Sequence, residues 1–290
     1  MGNPLVSICI PTYNGEAHVA AALKSVLAQT YSNIEIVVSD DASKDNTLQI
    51  VRDFQAKTHV PFKIYEHQPN GIGANWNHCI KKANGKYIKF LFQDDLLEPN
   101  CIEQMITVAE SSHNVGLVYC KRHIIYNSQN RYDTIWIGNF KTLHESWHTI
   151  SVKQGVHSGK TFLKDEYLLK HPVNKIGEPT AVLLNRSCFD KVGYFNTQLE
   201  QALDVEYWYR LMPHFKFGFV DDCLVSFRLH ENQASQINAK RKINEDKILA
   251  RLFFVKLFMH LHRKSKKQVL VEILYLKELK RFFKNKITKN

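Results

Sequence analysis

Over its first 120 residues the chain alternates short apolar runs with amphipathic stretches of helical period, and that rhythm limits the fold more than any other feature. Residues 5–10 form an apolar run closed by Pro11. Residues 17–27 carry Val19, Ala22, Leu23, Val26 and Leu27 at helical spacing. A strand over 34–39 is followed by a helix over 47–54, with Asp45 placed to cap it. The rhythm continues with a strand over 62–65, a helix over 74–83, a strand over 87–92, a helix from Pro99 to 109 and a strand over 115–119. Strands alternating with helices of this length predict an α/β fold, a mainly parallel mixed sheet flanked by helices. From 123 to 157 the pattern gives way to aromatic and polar sequence (Tyr126, Tyr132, Trp136, Phe140, Trp147). Beyond it, 180–184, 217–220 and 224–229 read as strands and 205–212 as a helix.

Charge divides the chain unevenly. The formal net charge is +11, yet residues 239–290 alone hold 16 Lys/Arg against 4 Asp/Glu, which leaves residues 1–238 close to neutral. A neutral body argues against a surface built to coat nucleic acid, so no specific nucleic-acid partner is expected. The tail reads as two basic amphipathic helices, 243–261 and 269–283. Such helices suit an anionic membrane surface, each Lys or Arg adding roughly 1 kcal/mol there. The competing expectation is a helical hairpin packed on the body or on a second subunit, as in a homodimer. No run of 18 apolar residues occurs, the start Met1-Gly2-Asn3-Pro4 lacks a basic segment leading into a long apolar run, and the six cysteines are scattered without a Cys-x-x-Cys pair. These features lead to an expectation of a cytoplasmic protein with reduced thiols.

In an open α/β sheet, ligands sit beyond the carboxyl ends of the strands. Three features fall at such ends: Pro11-Thr12-Tyr13-Asn14, Asp40-Asp41 and Asp94-Asp95. Neighbouring acidic pairs repel unless a cation or hydrogen-bond donors compensate. Mg²⁺ and Mn²⁺ favour one or two carboxylates plus substrate phosphates, so a nucleoside diphosphate bridged by a divalent metal fits. Either pair could instead cap a helix.

The ordered pieces, taken together, resemble family 2 glycosyltransferases of the GT-A fold. They are residues 6–14, 25–31 and 35–47, then Ala83-Asn84-Gly85-Lys86-Tyr87-Ile88 leading into Gln93-Asp94-Asp95, Lys191-Val192-Gly193-Tyr194-Phe195, and Asp204 through Arg210. The resemblance spans about residues 5–235. It implies a domain over 1–238, with a nucleotide-binding half (1–120) and an acceptor half (121–238), followed by the tail 239–290. It also implies a nucleotide-sugar donor, a divalent metal and inversion at the anomeric carbon. Position by position, Pro11, Thr12, Tyr13 and Asn14 look like the wall of the nucleoside pocket. Asp41 looks like the carboxylate that bonds uracil, which favours a UDP-sugar. Asn75 and Asn77 fall where the family lines the donor site; loop or helix-capping roles suit them as well. Asp94 looks like the residue near the ribose and Asp95 like the metal ligand, joined by His230 of the Arg228-x-His230 segment. Gln93 precedes the pair without adding a carboxylate, so phosphate oxygens would hold more of the metal. An acceptor hydroxyl is a weak nucleophile and needs a base; Asp204 resembles the family's base, with Glu206 as its nearest competitor on another helix face. The implied acceptor is a saccharide or a lipid-linked saccharide at the inner face of the membrane, in polysaccharide biosynthesis. A nucleotidyltransferase, or a protein binding nucleic acid through its tail, are the alternatives; the first would carry a Gly-rich phosphate loop that Pro11-Thr12-Tyr13-Asn14 is not.

Overall fold

A computed structural model describes residues 3–274 apart from 242 and 244. In chain order the elements are β1 (Val6–Thr12), α1 (Val19–Leu27), β2 (Ile34–Asp40), α2 (Thr47–Gln55), β3 (Phe62–Glu66), α3 (Ile72–Lys82), β4 (Tyr87–Phe90), β5 (Leu96–Leu97), α4 (Cys101–Glu110) and β6 (Val115–Ile125). They continue with α5 (Arg131–Phe140), β7 (Gly155–Ser158), α6 (Gly159–Phe162), β8 (Val182–Asn185), α7 (Ser187–Val192), α8 (Leu203–Leu211), β9 (Lys216–Arg228), α9 (Ala234–Arg241) and α10 (Asp246–Leu252).

The strands form one sheet in the order β3-β2-β1-β4-β8-β6-β9-β5, with β7 added beside β9. β3, β2, β1 and β4 run parallel. β8 is inserted antiparallel between β4 and β6, and β6 and β9 are parallel to one another. Every residue of β1 and β2 is buried, as expected of central strands covered on both faces. Two apolar clusters, one containing Ile8, Ile36 and Leu183 and the other Val37, Ile88 and Phe217, account for the two covered faces.

The expected strands over 217–220 and 224–229 are one strand. The polar step Asp221-Asp222 is absorbed as an irregularity against β6, where Cys120 faces Val220 but Arg122 already faces Val225. A bulge of this kind lets a strand carry a polar interruption without ending. The stretch without period contains α5; Trp136 stacks on Phe227 at 5.6 Å and Trp147 is buried against Phe162 at 4.8 Å, while Tyr126 and Tyr132 are exposed.

The tail packs on the body. Leu252, Phe253, Leu257, Leu261 and Val269 are buried in the larger cluster, and Phe253 meets Tyr209 edge-on at 5.2 Å. The helix expected over 243–261 starts at Asp246 and passes into a π-helical turn over Phe253–Leu257. Residues 263–274 are helical, and the rest of the expected second helix lies outside the described residues. Glu245 accepts hydrogen bonds from the main-chain N–H groups of Glu200 and Ala202, at 2.5 and 2.7 Å, just ahead of α8. Among the described residues no helix is long and apolar enough to cross a membrane.

Candidate active site

β1 and β2 end side by side, and their two loops are zipped together. Thr12 donates to Asp40 Oδ2 at 2.7 Å, and Asp40 also accepts the N–H and hydroxyl of Ser43. Ser43 Oγ accepts the N–H of Asn14, whose Oδ1 accepts that of Lys44. Asp45 Oδ1 takes the N–H of Thr47 at 3.0 Å, although the N-cap position of α2 itself falls on Asn46, one residue later than expected. Asp40 is thereby spent on the loop, and Asp41 is the member of the pair left for a ligand. Its Oδ1 is buried without a hydrogen-bond partner, with His67 Nδ1 3.4 Å away. Burial pushes the Asp41 carboxyl up, against the pull of His67.

Asn75 stands beside this carboxylate. Its amide donates to Thr12 O at 3.3 Å and its Oδ1 is 3.2 Å from His67 Nε2. Asn77 does not join it. Two positions along α3 turn the side chain about 200° away, and Asn77 clasps the backbone of Phe195 with both ends of its amide, at 2.9 and 3.0 Å. Asn77 thus braces Phe195. Gln93 makes a second clasp, on the N–H and carbonyl of Tyr13, at 2.9 Å each.

After β4 the carboxylates Asp94 and Asp95 part company. Asp95 is 1% exposed; its Oδ2 accepts from Thr180 Oγ1 at 2.6 Å and its Oδ1 from the main-chain N–H of Arg228 at 3.0 Å. Burial, reinforced by Asp94, raises its carboxyl well above the usual range. Asp94 faces outward, with Oδ2 2.9 Å from His230 Nε2. Of the two carboxylates it is Asp94 that meets His230, while Asp95 turns inward. His18 lies at 5.2 Å from the His230 ring, and Arg228 Nε donates to Asp94 O. Carboxylate, imidazole and phosphate oxygens together suit Mn²⁺ or Mg²⁺. Among the described residues no three His, Cys, Asp or Glu side chains converge on a metal position by themselves.

Asp204 stands in the first turn of α8. Oδ2 accepts from Asn174 Nδ2 at 2.9 Å and Oδ1 from the N–H of Val205 at 2.7 Å. Burial pushes its carboxyl up to about 7, with Glu178 and Glu245 adding to the rise. Glu206 is not a rival: it pairs with Arg210 at 2.9 Å, one turn on. α3 is held against this end of α8, since a Cβ on Gly73 would come within 2.6 Å of Leu203. Contacts thus run from Asp95 through Thr180 and from Asp204 through Asn174 into one segment, and from Asp41 through His67 to Asn75 on α3.

The model for glycosyl transferase family 2 matches residues 7–193. The chain belongs to glycosyl transferase family 2. Similar members include an uncharacterized glycosyltransferase of Rickettsia typhi, 31% identical over 245 residues (80% of this chain, 66% of that one). Another is the Escherichia coli UDP-Glc:alpha-D-GlcNAc-diphosphoundecaprenol beta-1,3-glucosyltransferase WfgD, 37% identical over 128 residues (44% and 49%). The chain spans 35% to 66% of the length of the first curated relatives it matches. Staphylococcus aureus TarS 1–349, solved with UDP-GlcNAc, superposes with a TM-score of 0.63 at 18% identity, over 93% of this chain and 71% of that one. The Pyrobaculum calidifontis mannosyltransferase PcManGT, solved with GDP-Man and Mn²⁺, gives 0.60 at 18% identity, over 86% and 63%. The fold is therefore GT-A.

Four residues of this family 2 site escape the sequence motifs: His18, His67, Asn174 and Thr180. None sits in a pattern of its own, and each enters through a contact with a residue 26 or more positions away in the chain.

Proposed function

We propose that the chain transfers a glycosyl group from a nucleotide sugar, UDP-linked by preference, to a saccharide or lipid-linked saccharide hydroxyl with inversion. The observation that supports this reading is Asp204, a carboxyl held by Asn174 and Val205 at the start of α8 and pushed up to about 7 by burial. A base poised near neutrality is suited to take a proton from an attacking hydroxyl. The acceptor oxygen bonds to the anomeric carbon as its proton passes to Asp204 and the nucleoside diphosphate departs with the bonding electrons. Thr12, Asn14, Asp41 and Asn75 would hold the nucleoside, with Pro11 and Tyr13 forming the adjoining backbone. Asp94 and His230, backed by Asp95, would hold a divalent cation together with diphosphate oxygens. Such a cation, when bound, neutralises charge on the leaving diphosphate. The match to glycosyl transferase family 2 favours this reading over nucleotidyl transfer.

The tail offers a face for peripheral membrane contact. Val255 and Met259 are 67% and 78% exposed beside Arg251, Lys256 and Arg263, while Leu252 and Leu257 are buried against the body. Calorimetry with UDP-, GDP- and dTDP-sugars, with and without Mn²⁺, tests the donor. Binding of a UDP-sugar that strengthens with Mn²⁺ is expected; no binding by any sugar nucleotide contradicts the reading.

A further inference from the structure

Glu178 occupies a segment whose two ends hold the two central carboxylates. At one end Asn174 donates to Asp204; at the other Thr180 donates to Asp95. The segment between them is held by several hydrogen bonds. Gly177 lies at φ +124°, which L side chains rarely adopt, and its carbonyl accepts from Trp208 Nε1 at 3.0 Å and Asn174 Nδ2 at 3.1 Å. The Thr180 carbonyl accepts from the ammonium of Lys89, which is completely buried.

The side chain of Glu178 is aimed as firmly as its backbone. Its Oε2 lies 2.9 Å from Arg122 Nε in an ion pair, and both atoms are buried without making a hydrogen bond. Arg122 is 4% exposed in its side chain and donates to Phe140 O at 2.8 Å. Its guanidinium lies 5.6 Å from the Trp136 ring centre and 6.0 Å from that of Phe227. Two aromatic faces and a carbonyl leave it one orientation.

A carboxylate needed only to balance Arg122 would be better placed away from Asp95 and Asp204, since Glu178 opposes ionisation of both. We infer that Glu178 binds a hydroxyl of the transferred sugar through its carboxylate, whose buried Oε2 makes an ion pair but no hydrogen bond, with Arg122 as the positioning residue. This rests on the reading of the rim as a glycosyl-transfer site. An ionised carboxylate accepting from a hydroxyl makes a charge-assisted bond, stronger than a neutral one and lost when the carboxylate becomes an amide. The glycosyl ring would then lie between the diphosphate groups at Asp94 and the base at Asp204, where the segment 174–181 passes.

The test uses the full chain, the sugar nucleotide that it turns over fastest, and the corresponding nucleoside diphosphate. Glu178→Gln should weaken sugar-nucleotide binding on the order of 10- to 100-fold, while the nucleoside diphosphate binds within about twofold of wild type. Glu178→Asp should recover part of the loss, and Arg122→Gln should shift the same ratio in the same direction. Equal losses for both ligands would make Glu178 merely structural and overturn the inference, as would unchanged binding of the sugar nucleotide. Wild-type chain that turns over no sugar nucleotide would instead remove the underlying glycosyl-transfer reading, a separate outcome.

Discussion

At the edge proposed to hold the nucleotide, Asp40 is fixed by Ser43, three residues away, and by Thr12 on the adjacent parallel strand. At the edge proposed to hold the sugar, Asp204 accepts from Asn174, 30 residues earlier, and Asp95 from Thr180, 85 residues later. The first arrangement follows from two strands ending together and a short capped loop. The second exists only after β8, α8 and the tail have packed, with Glu245 holding the chain ahead of α8. The separations in sequence are alike, 28 residues for Thr12 with Asp40 and 30 for Asn174 with Asp204; the difference is that two adjoining parallel strands set the first contact, whereas the second joins a loop to the start of α8.

The sharpest way to break this contrast is to remove one distant support. Thr180→Val should lower kcat/KM about 100-fold by stranding the Asp95 carboxylate, with nucleoside diphosphate affinity measured without divalent metal within about threefold of wild type. Steady-state kinetics and calorimetry check it; equal losses in both would merge the two edges into one unit. The second effect is that of pH. The free chain needs Asp204 deprotonated, and its carboxyl lies at about 7. Log kcat/KM should therefore fall by about one unit per pH unit below that value, and a profile flat down to pH 5 would contradict the assignment. Stability should move the opposite way. The folded carboxyl is raised, so stability is lost as pH rises from the unfolded value, about 4, through about 7. Asp204→Asn should accordingly raise Tm at pH 8, and that gain should vanish near pH 4.

A local change should act on binding alone. Asp41→Asn should weaken UDP about tenfold, equivalent to about 1.4 kcal/mol, and leave kcat at saturation within a few-fold. The smallest effect belongs to the outer face of the tail. Met259→Ser should reduce sedimentation with anionic vesicles a few-fold, without loss of Tm, because Met259 is exposed while Leu257 carries the packing.

The same contrast explains what could be read from the residues. The strand-helix rhythm from Val6 to Tyr119 and the acidic pairs at the strand ends were visible, because period and turn chemistry act over a few residues. Asp204 was visible through the pattern from Asp204 to Arg210. The side on which each carboxylate of a pair would fall was not. Asp94 and Asp95 differ only in what meets them, Arg228 and His230 from β9 and its end, and Thr180 from beside β8. The direction of Asn77 likewise depended on Phe195, 118 residues on. The tail was legible as amphipathic, but one apolar stripe cannot say whether it meets lipid or the body; the buried Phe253 and Leu257 answer for the inner face.

Single-turnover transfer by Asp204→Asn, measured beside its donor affinity, bears most directly on the central claim. Donor binding within about twofold of wild type, with transfer slowed by at least about 1,000-fold, is the result expected when a positioned base is lost and the donor site is intact. Transfer within about tenfold of wild type would contradict the role assigned to Asp204 and, with it, the account of the sugar edge.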